Sequence, residues 1–368
     1  MNIDQELKKE GIEVIKPLDQ LNINIIAKAV ATKLVKAFPN QGLDTKDLFI
    51  RLSKLNMYIT KMSGNLSSAK YYYKNHSIYF NKDLDLTNID VCAIHECIHA
   101  LQEYRDEKDN LLRLGFCNFT SSSLPGMALN EAAVQLMSSY AIGATLDTVK
   151  YFDITLPTYS PSHYALECTL LNQMAYLTGN YDLFNSTLYS NDLFMDKFIL
   201  LTSKSTFYSV QSNLDKIMDL EDNLSFQVSL LADIEENSKN IAKITNKISK
   251  LRSQIQSLFL DTQNLILTSY FDKKFNAIST LVQAEDYRKK LYNFKDYIGY
   301  TNDYSFYNEY YVQKMADLEW KRNEIENNAF QTNPALLLVP KKQNLVITFF
   351  RKLKKLFGYS NKYEKVIN

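Results

Sequence analysis

Three side chains in one short run can do chemistry together: His95, Glu96 and His99, in the order His95-Glu96-Cys97-Ile98-His99. On a helix, residues four apart lie on one face, one turn above the other. Two imidazoles so placed can reach one metal ion, and the carboxylate of Glu96 falls beside it. A metal held in this way keeps a position open for water. The neighbouring carboxylate takes a proton from that water as it attacks a carbonyl, then returns it to the leaving group. The chemistry expected is metal-assisted hydrolysis. Zn2+ is the metal expected, although the same donors accept several divalent ions.

A third ligand must come from elsewhere. Asn130-Glu131 opens a later helical stretch, 32 residues after His99 and just past Pro125 and Gly126. An acid there can turn back toward the first helix, so Glu131 completes the expected set His95, His99, Glu131. Glu167 and His163 are the alternatives. They are four apart and follow Ser160-Pro161, a pair that suits a helix start with Ser as N-cap and Pro at the first turn. The chain has four histidines in all, so few can donate to a developing oxyanion. His163 is the catalytic choice for that role, with Tyr140 and Tyr164 as alternatives. His76, after Asn75 in a turn-like setting, reads as an exposed residue.

The elements that must position these groups are partly legible. Ile25, Ile26, Val30, Leu34 and Val35 give helical periodicity over residues 21–38. Residues 57–62, 71–73 and 77–81 alternate as short strands. Thr87-Asn88-Ile89-Asp90 reads as a capping box, with Thr87 as N-cap and Asp90 at the third helical position. Val91, Ile94, Ile98 and Leu101 then form an apolar stripe with His95 and His99 beside it. Residues 115–126 read as loop, residues 128–140 as the helix of Glu131, and the helix after Ser160-Pro161 ends at Gly179. From residue 213 to 267 there is no Gly or Pro, and Ile241, Ile244, Ile248, Leu251, Ile255 and Leu258 mark a heptad seam. A further run over 270–297 is expected to fold back on it as a helical hairpin, and a shorter helix over 310–327 precedes Pro334.

His95, Glu96 and His99, with Asn130-Glu131 opening a later helix, resemble the gluzincin metallopeptidases of the thermolysin-like clan. The resemblance covers about residues 55–180. It implies peptide-bond hydrolysis, a peptide or protein substrate, and a zincin-like domain. In such a domain the active-site helix lies below a small sheet whose edge strand binds extended peptide. Residues 77–81 are the strand expected at that edge. In the family, the helix of the ligand glutamate often carries an aspartate one turn on, which orients a ligand histidine. Here Gln135 holds that place, and a neutral amide makes a weaker support.

The fold class expected is α+β, mainly α. A zincin-like metallopeptidase domain spans 1–205, a helical hairpin or coiled coil 206–330, and a linker and basic amphipathic tail 331–368. From Lys341 on, eight Lys/Arg face one acid, so the tail carries +7 and the preceding chain −6 of the net +1. Val346, Phe349, Phe350, Leu353, Leu356 and Phe357 share one helical face of the tail, and Thr348, Arg351, Lys352 and Lys355 the other. Such a helix suits an anionic membrane surface. No wider basic patch accompanies it, so nucleic acid is not expected as a partner. The first 19 residues are charged and lack a secretory pattern. No apolar stretch is long enough to span a bilayer as a helix. The four cysteines form no C-x-x-C pair and read as reduced, buried thiols. Together these suggest a cytoplasmic protein, held peripherally at the inner membrane surface. The rival reading is a membrane-associated scaffold that keeps an inert metal site.

Overall fold

The computed structural model describes residues 3–63, 68–86, 88–120, 125–233, 240–302 and 306–332. The chain opens with α1 (Ile3–Lys9), β1 (Ile12–Pro17), α2 (Gln20–Ala37) and α3 (Thr45–Leu52). Strands β2 (Asn56–Met62), β3 (Ala69–Tyr72) and β4 (Ser77–Asn81) follow, and α4 (Val91–Gln102) carries the histidine pair. Three short strands, β5 (Glu103–Arg105), β6 (Leu111–Leu114) and β7 (Cys117–Asn118), lead to α5 (Met127–Ala141), the helix of Glu131. A hairpin of β8 (Asp147–Tyr151) and β9 (Ile154–Thr158) precedes α6 (Ala165–Thr178), α7 (Asn180–Tyr189) and α8 (Leu193–Leu201). Then come α9 (Lys204–Ala232), α10 (Ile241–Asn276), α11 (Leu281–Phe294) and α12 (Phe306–Thr332). The molecule is mainly helical with small sheets, as the periodicities predict.

The largest sheet has the order β1-β2-β4-β3, with β2 and β4 parallel and both outer pairs antiparallel. This corrects one expectation. Residues 77–81 form an interior strand, paired on both sides, and β3 is the edge strand beside α4. Four of the five β4 residues are buried, which marks a strand covered on both faces. The sequence patterns of β3 and β4 are both short and aromatic, so periodicity alone could not rank them.

Helix α4 is buried nearly all round, including His95, Glu96, His99 and Gln102. Burial of that kind puts a helix inside the molecule rather than on its surface. Its N-cap is Asp90, whose side chain accepts from the Ala93 amide at 3.0 Å. The expected capping box therefore starts three residues too early, and Thr87 lies outside the described residues. Helix α6 also begins later than expected. Ser160-Pro161 sits in a turn, and the cap position belongs to Tyr164 in a left-handed backbone conformation, φ 51°. Ser160 is occupied instead with the His163 carbonyl, to which its hydroxyl donates at 2.5 Å.

The heptad seam lies on α10, with Ile248, Leu251 and Ile255 buried, and its partner is α9. The hairpin is thus formed by α9 and α10 rather than by the runs 213–267 and 270–297. No Gly or Pro lies in the sequence between α9 and α10, so the helical pattern reads as continuous there. The hairpin is packed on the first part of the chain. One hydrophobic cluster runs from Ile23 to Leu318. Gln173 of α6 donates to Gln263 of α10 at 2.9 Å. The linker and the tail over 341–368 lie outside the described residues, apart from the end of α12. Among those described, no helix is long and apolar enough to cross a membrane. Cys97, Cys117 and Cys168 are buried free thiols, and Cys92 is half-buried.

One contact from the hairpin holds the helix of Glu131 in place. The first turn of a helix leaves backbone N–H groups unpaired. The α5 cap position, Gly126, has no side chain to offer, and Asp215 of α9 supplies the acceptor. Its carboxylate takes the Gly126 amide at 2.9 Å and the Ala128 amide at 3.0 Å. Asp215→Ala should cost about 1–2 kcal/mol, the loss typical of a helix cap. The urea midpoint should fall with the slope unchanged. An unaltered midpoint would show that α5 does not depend on this cap.

Candidate metal centre

Helices α4 and α5 bring His95, His99 and Glu131 together into a buried group that could hold a metal ion. The two histidine Nε2 atoms are 3.0 Å apart. Glu131 Oε2 lies 3.1 Å from His95 Nε2, and Oε1 lies 3.4 Å from His99 Nε2. Atoms that each sit ~2.05 Å from the centre of a tetrahedron are roughly 3.3 Å from one another. The observed spacings are close to that edge length, so the donor set fits a four-coordinate cation.

The surrounding hydrogen bonds fix which ring nitrogens face the centre. His95 Nδ1 meets Gln135 Oε1 at 2.9 Å, and Gln135 Nε2 donates to Ser160 Oγ at 3.0 Å. Ser160 spends its own proton on the His163 carbonyl, so it can only accept from Gln135. The amide is therefore oriented with its oxygen toward His95, and Nδ1 must carry the proton. The same logic holds for His99. Gln102 Nε2 donates to the Thr187 carbonyl at 2.8 Å, which leaves Gln102 Oε1 to accept from His99 Nδ1 at 3.1 Å. A neutral imidazole protonated on Nδ1 has its lone pair on Nε2. Two such lone pairs and a carboxylate point at one spot, which is unfavourable unless positive charge lies among them.

The ionisation of the group shows the same demand. Burial opposes the charged form of His99, but the Glu131 carboxylate, Glu96 and Gln102 raise its pKa to about 9. Burial would raise Glu131, yet the His99 charge and the contacts from both histidines hold it well below the usual carboxylate range. A proton shared among these groups supplies the positive charge that a cation would otherwise bring.

Glu96 does not join the cluster. Its Oε2 accepts the Tyr71 amide of β3 at 2.5 Å. Burial, joined by the Glu131 charge, raises its pKa against the pull of both histidines and that amide. The edge strand and the general-base candidate are thus linked by one hydrogen bond. Asn130 is not a ligand. Its Oδ1 accepts from the Phe116 amide at 3.1 Å and from Gln102 Nε2 at 3.2 Å. This tie leaves no room beside Gly115, whose φ is +56° and where a Cβ would lie 1.9 Å from Asn130 Oδ1.

The remaining sequence candidates separate. The Tyr164 ring stacks over His95, with centroids 6.2 Å apart and planes 15° from parallel. Burial, then the Glu131 and Glu96 charges, push its phenol pKa far up, so the hydroxyl stays protonated beside the cluster. His163 adjoins the same region, its Nε2 3.9 Å from Cys92 Sγ. Burial and the His95 charge lower its pKa. Glu167 is not with the metal group. It is fully buried in α6 and faces Glu221 of α9. His163 lies before α6, so the expected pairing of the two on one helix fails. Tyr140 packs on Tyr159 and Phe184 at the far end of α5. His76 is partly exposed and pairs with Glu103 at 3.0 Å.

Gln102 escaped the sequence reading. It lies three residues after His99 on the same helix, and that spacing was the available signal. Both ligand histidines are thus backed by neutral amides. Gln135→Leu should weaken metal affinity about 10–100-fold, since the ring then loses its orienting partner. Competition with a chromophoric chelator measures this directly. An unchanged affinity would mean that Gln135 does not orient His95.

Comparison with protein-family models, curated proteins and solved structures yields no match.

Proposed function

We propose that the chain is a zinc-dependent metallopeptidase, with His95, His99 and Glu131 as ligands and Glu96 as general base. One observation carries the reading: two buried imidazoles and a half-buried carboxylate converge with spacings close to a tetrahedral edge, and the imidazole tautomers are fixed with the lone pairs inward. A zinc ion bound there supplies Lewis acidity for hydrolysis. The protein residues divide the rest of the work. Glu96 is a buried carboxyl whose raised pKa makes it a stronger base than a free glutamate. It takes the proton of the attacking water and hands it to the leaving amine. Hydrogen bonding to the Tyr71 amide holds the carboxylate in place and ties it to the edge strand along which an extended peptide would lie. That strand and the His95-Glu96-Cys97-Ile98-His99 run support a peptide substrate over other carbonyl compounds. Contact of residues 341–368 with an anionic membrane is supported by their charge and apolar stripe.

Tyr164 is the better-placed donor to a developing oxyanion, and His163 the alternative. The strained backbone of Tyr164 holds its ring over His95, as strain often does at functional sites. Tyr164→Phe should lower kcat by about 10²-fold with KM little changed, the effect of removing one oxyanion donor. A larger loss in His163→Ala would transfer the role to His163. The activity itself is tested by incubating the zinc-loaded chain with a peptide library and mapping new termini by mass spectrometry. Cleavage should stop with a chelator and return with zinc. A zinc-saturated chain that cuts no peptide would contradict the peptidase reading.

A further inference from the structure

Two lysines are left unused by the hydrolytic chemistry, and both line one cavity. It has a volume of about 270 Å3 and is walled by the end of α10, by α11 and by the turn that joins them. None of its lining residues belongs to the metal group. Pockets for drug-sized molecules are typically about 300–1,000 Å3, so this one suits a single-ring compound. Its apolar lining includes Tyr270, Phe271, Ile278 and Tyr287, all buried. The three rings pack edge to face. Tyr270 and Phe271 have centroids 4.9 Å apart and planes at 78°, and Phe271 and Tyr287 lie 5.7 Å apart at 87°. A wall packed in this way is formed before a ligand arrives, which spares the cost of ordering it.

The lysines give this apolar cavity a charge. Lys290 of α11 is half-buried, its ammonium 5.2 Å from the centroid of Tyr270 and 5.4 Å from that of Tyr176. One of its N–H groups goes to the Leu177 carbonyl at 3.2 Å. Lys274 of α10 is exposed, and its ammonium lies 5.8 Å from the same Tyr270 centroid. Two like charges gathered at one ring repel, the more so where one is partly withdrawn from water. Burial lowers the pKa of Lys290, and the charges of Lys274 and then Lys197 lower it further. Ring faces attract ammonium groups, but less strongly than a carboxylate does. Asp286 stands four residues before Lys290, the interval at which opposite charges meet on a helix. Yet among the described residues neither Lys274 nor Lys290 forms an ion pair.

We propose that this cavity binds a small aromatic carboxylate, its ring among Tyr270, Phe271 and Tyr287 and its charge met by Lys290 and Lys274. Each part of such a ligand has a partner. An ammonium has three N–H donors, and the Leu177 carbonyl occupies one of those on Lys290, so two remain for carboxylate oxygens. Aromatic rings pack favourably edge to face or offset, and the lining presents three. The charge decides among anions. Asp286 also lines the cavity and is exposed, so the two lysines leave a single positive charge in excess. That matches a carboxylate better than a doubly charged phosphate. A neutral apolar molecule would leave the repulsion between the lysines in place.

The test is calorimetric titration of the full chain with phenylacetate, and separately with phenylacetamide and inorganic phosphate. Phenylacetate should bind saturably at one site, with the same affinity whether or not zinc is present, which separates this cavity from the metal centre. Phenylacetamide, the uncharged counterpart, should bind at least about tenfold more weakly, since charge-assisted hydrogen bonds become neutral ones. Lys290→Met keeps the unbranched body of the side chain and should weaken phenylacetate at least about tenfold. Lys274→Met should weaken it about two- to fivefold, the worth of an exposed ion pair. Being at an exposed position, it decides the matter should Lys290→Met fail to fold. Absence of saturable phenylacetate binding would overturn the proposal. So would equal affinity for phenylacetamide, binding that only zinc permits, or an affinity that no folded lysine variant lowers. Phosphate bound in preference to phenylacetate, and lost in Lys290→Met, would overturn the choice of a carboxylate.

Discussion

Glu96→Gln should keep the metal and lose about 10²–10⁴ in kcat, the range a general base contributes. The amide has the shape of the carboxyl and can still accept the Tyr71 amide through its oxygen. It cannot take up a proton. Glu96 stands outside the donor group, so zinc content should remain that of the parent chain. KM should move little, because the substitution removes no group that holds substrate at rest. Retained turnover would take the base role from Glu96. Lost zinc would put Glu96 among the ligands instead.

His99→Ala should abolish the stabilisation that zinc confers. A ligand that binds only the folded chain stabilises it by about 4 kcal/mol at a thousand times its Kd. In the parent chain, thermal unfolding should therefore shift upward on zinc addition. The variant loses one of three donors, and His95 Nε2 and Glu131 remain as a two-donor remnant. Its unfolding should be insensitive to the same zinc concentration. An undiminished shift would place the zinc elsewhere in the chain.

Much of the centre was legible because it is written in local spacing. His95 and His99 are one helical turn apart, and the Asn130-Glu131 step follows a Pro-Gly turn at the head of a helix. The support from Gln135 is expected only through the gluzincin resemblance, which implies an orienting side chain one turn beyond the ligand glutamate. What escaped depends on geometry that spacing does not encode. The order of β3 and β4 in the sheet is set by pairing across the fold, and both strands carry the same aromatic pattern. The start of α6 was misplaced because Tyr164 adopts a left-handed conformation that a bulky residue seldom takes, while Ser160-Pro161 has strong local helix-start character. The sequence places the hairpin elsewhere because neither Gly nor Pro separates α9 from α10. Tertiary contacts such as Asp215 at the head of α5 join segments far apart in sequence, where no periodicity points.

The most direct test of the central claim is zinc-edge X-ray absorption on the purified, zinc-loaded chain, with zinc content measured in parallel. Two imidazole nitrogens and oxygen at ~2.0–2.1 Å, with one zinc per chain that His99→Ala removes, is the expected result. A sulfur neighbour at about 2.3 Å would put a cysteine thiolate in place of an oxygen donor and contradict the assignment. So would a zinc content that does not depend on His99.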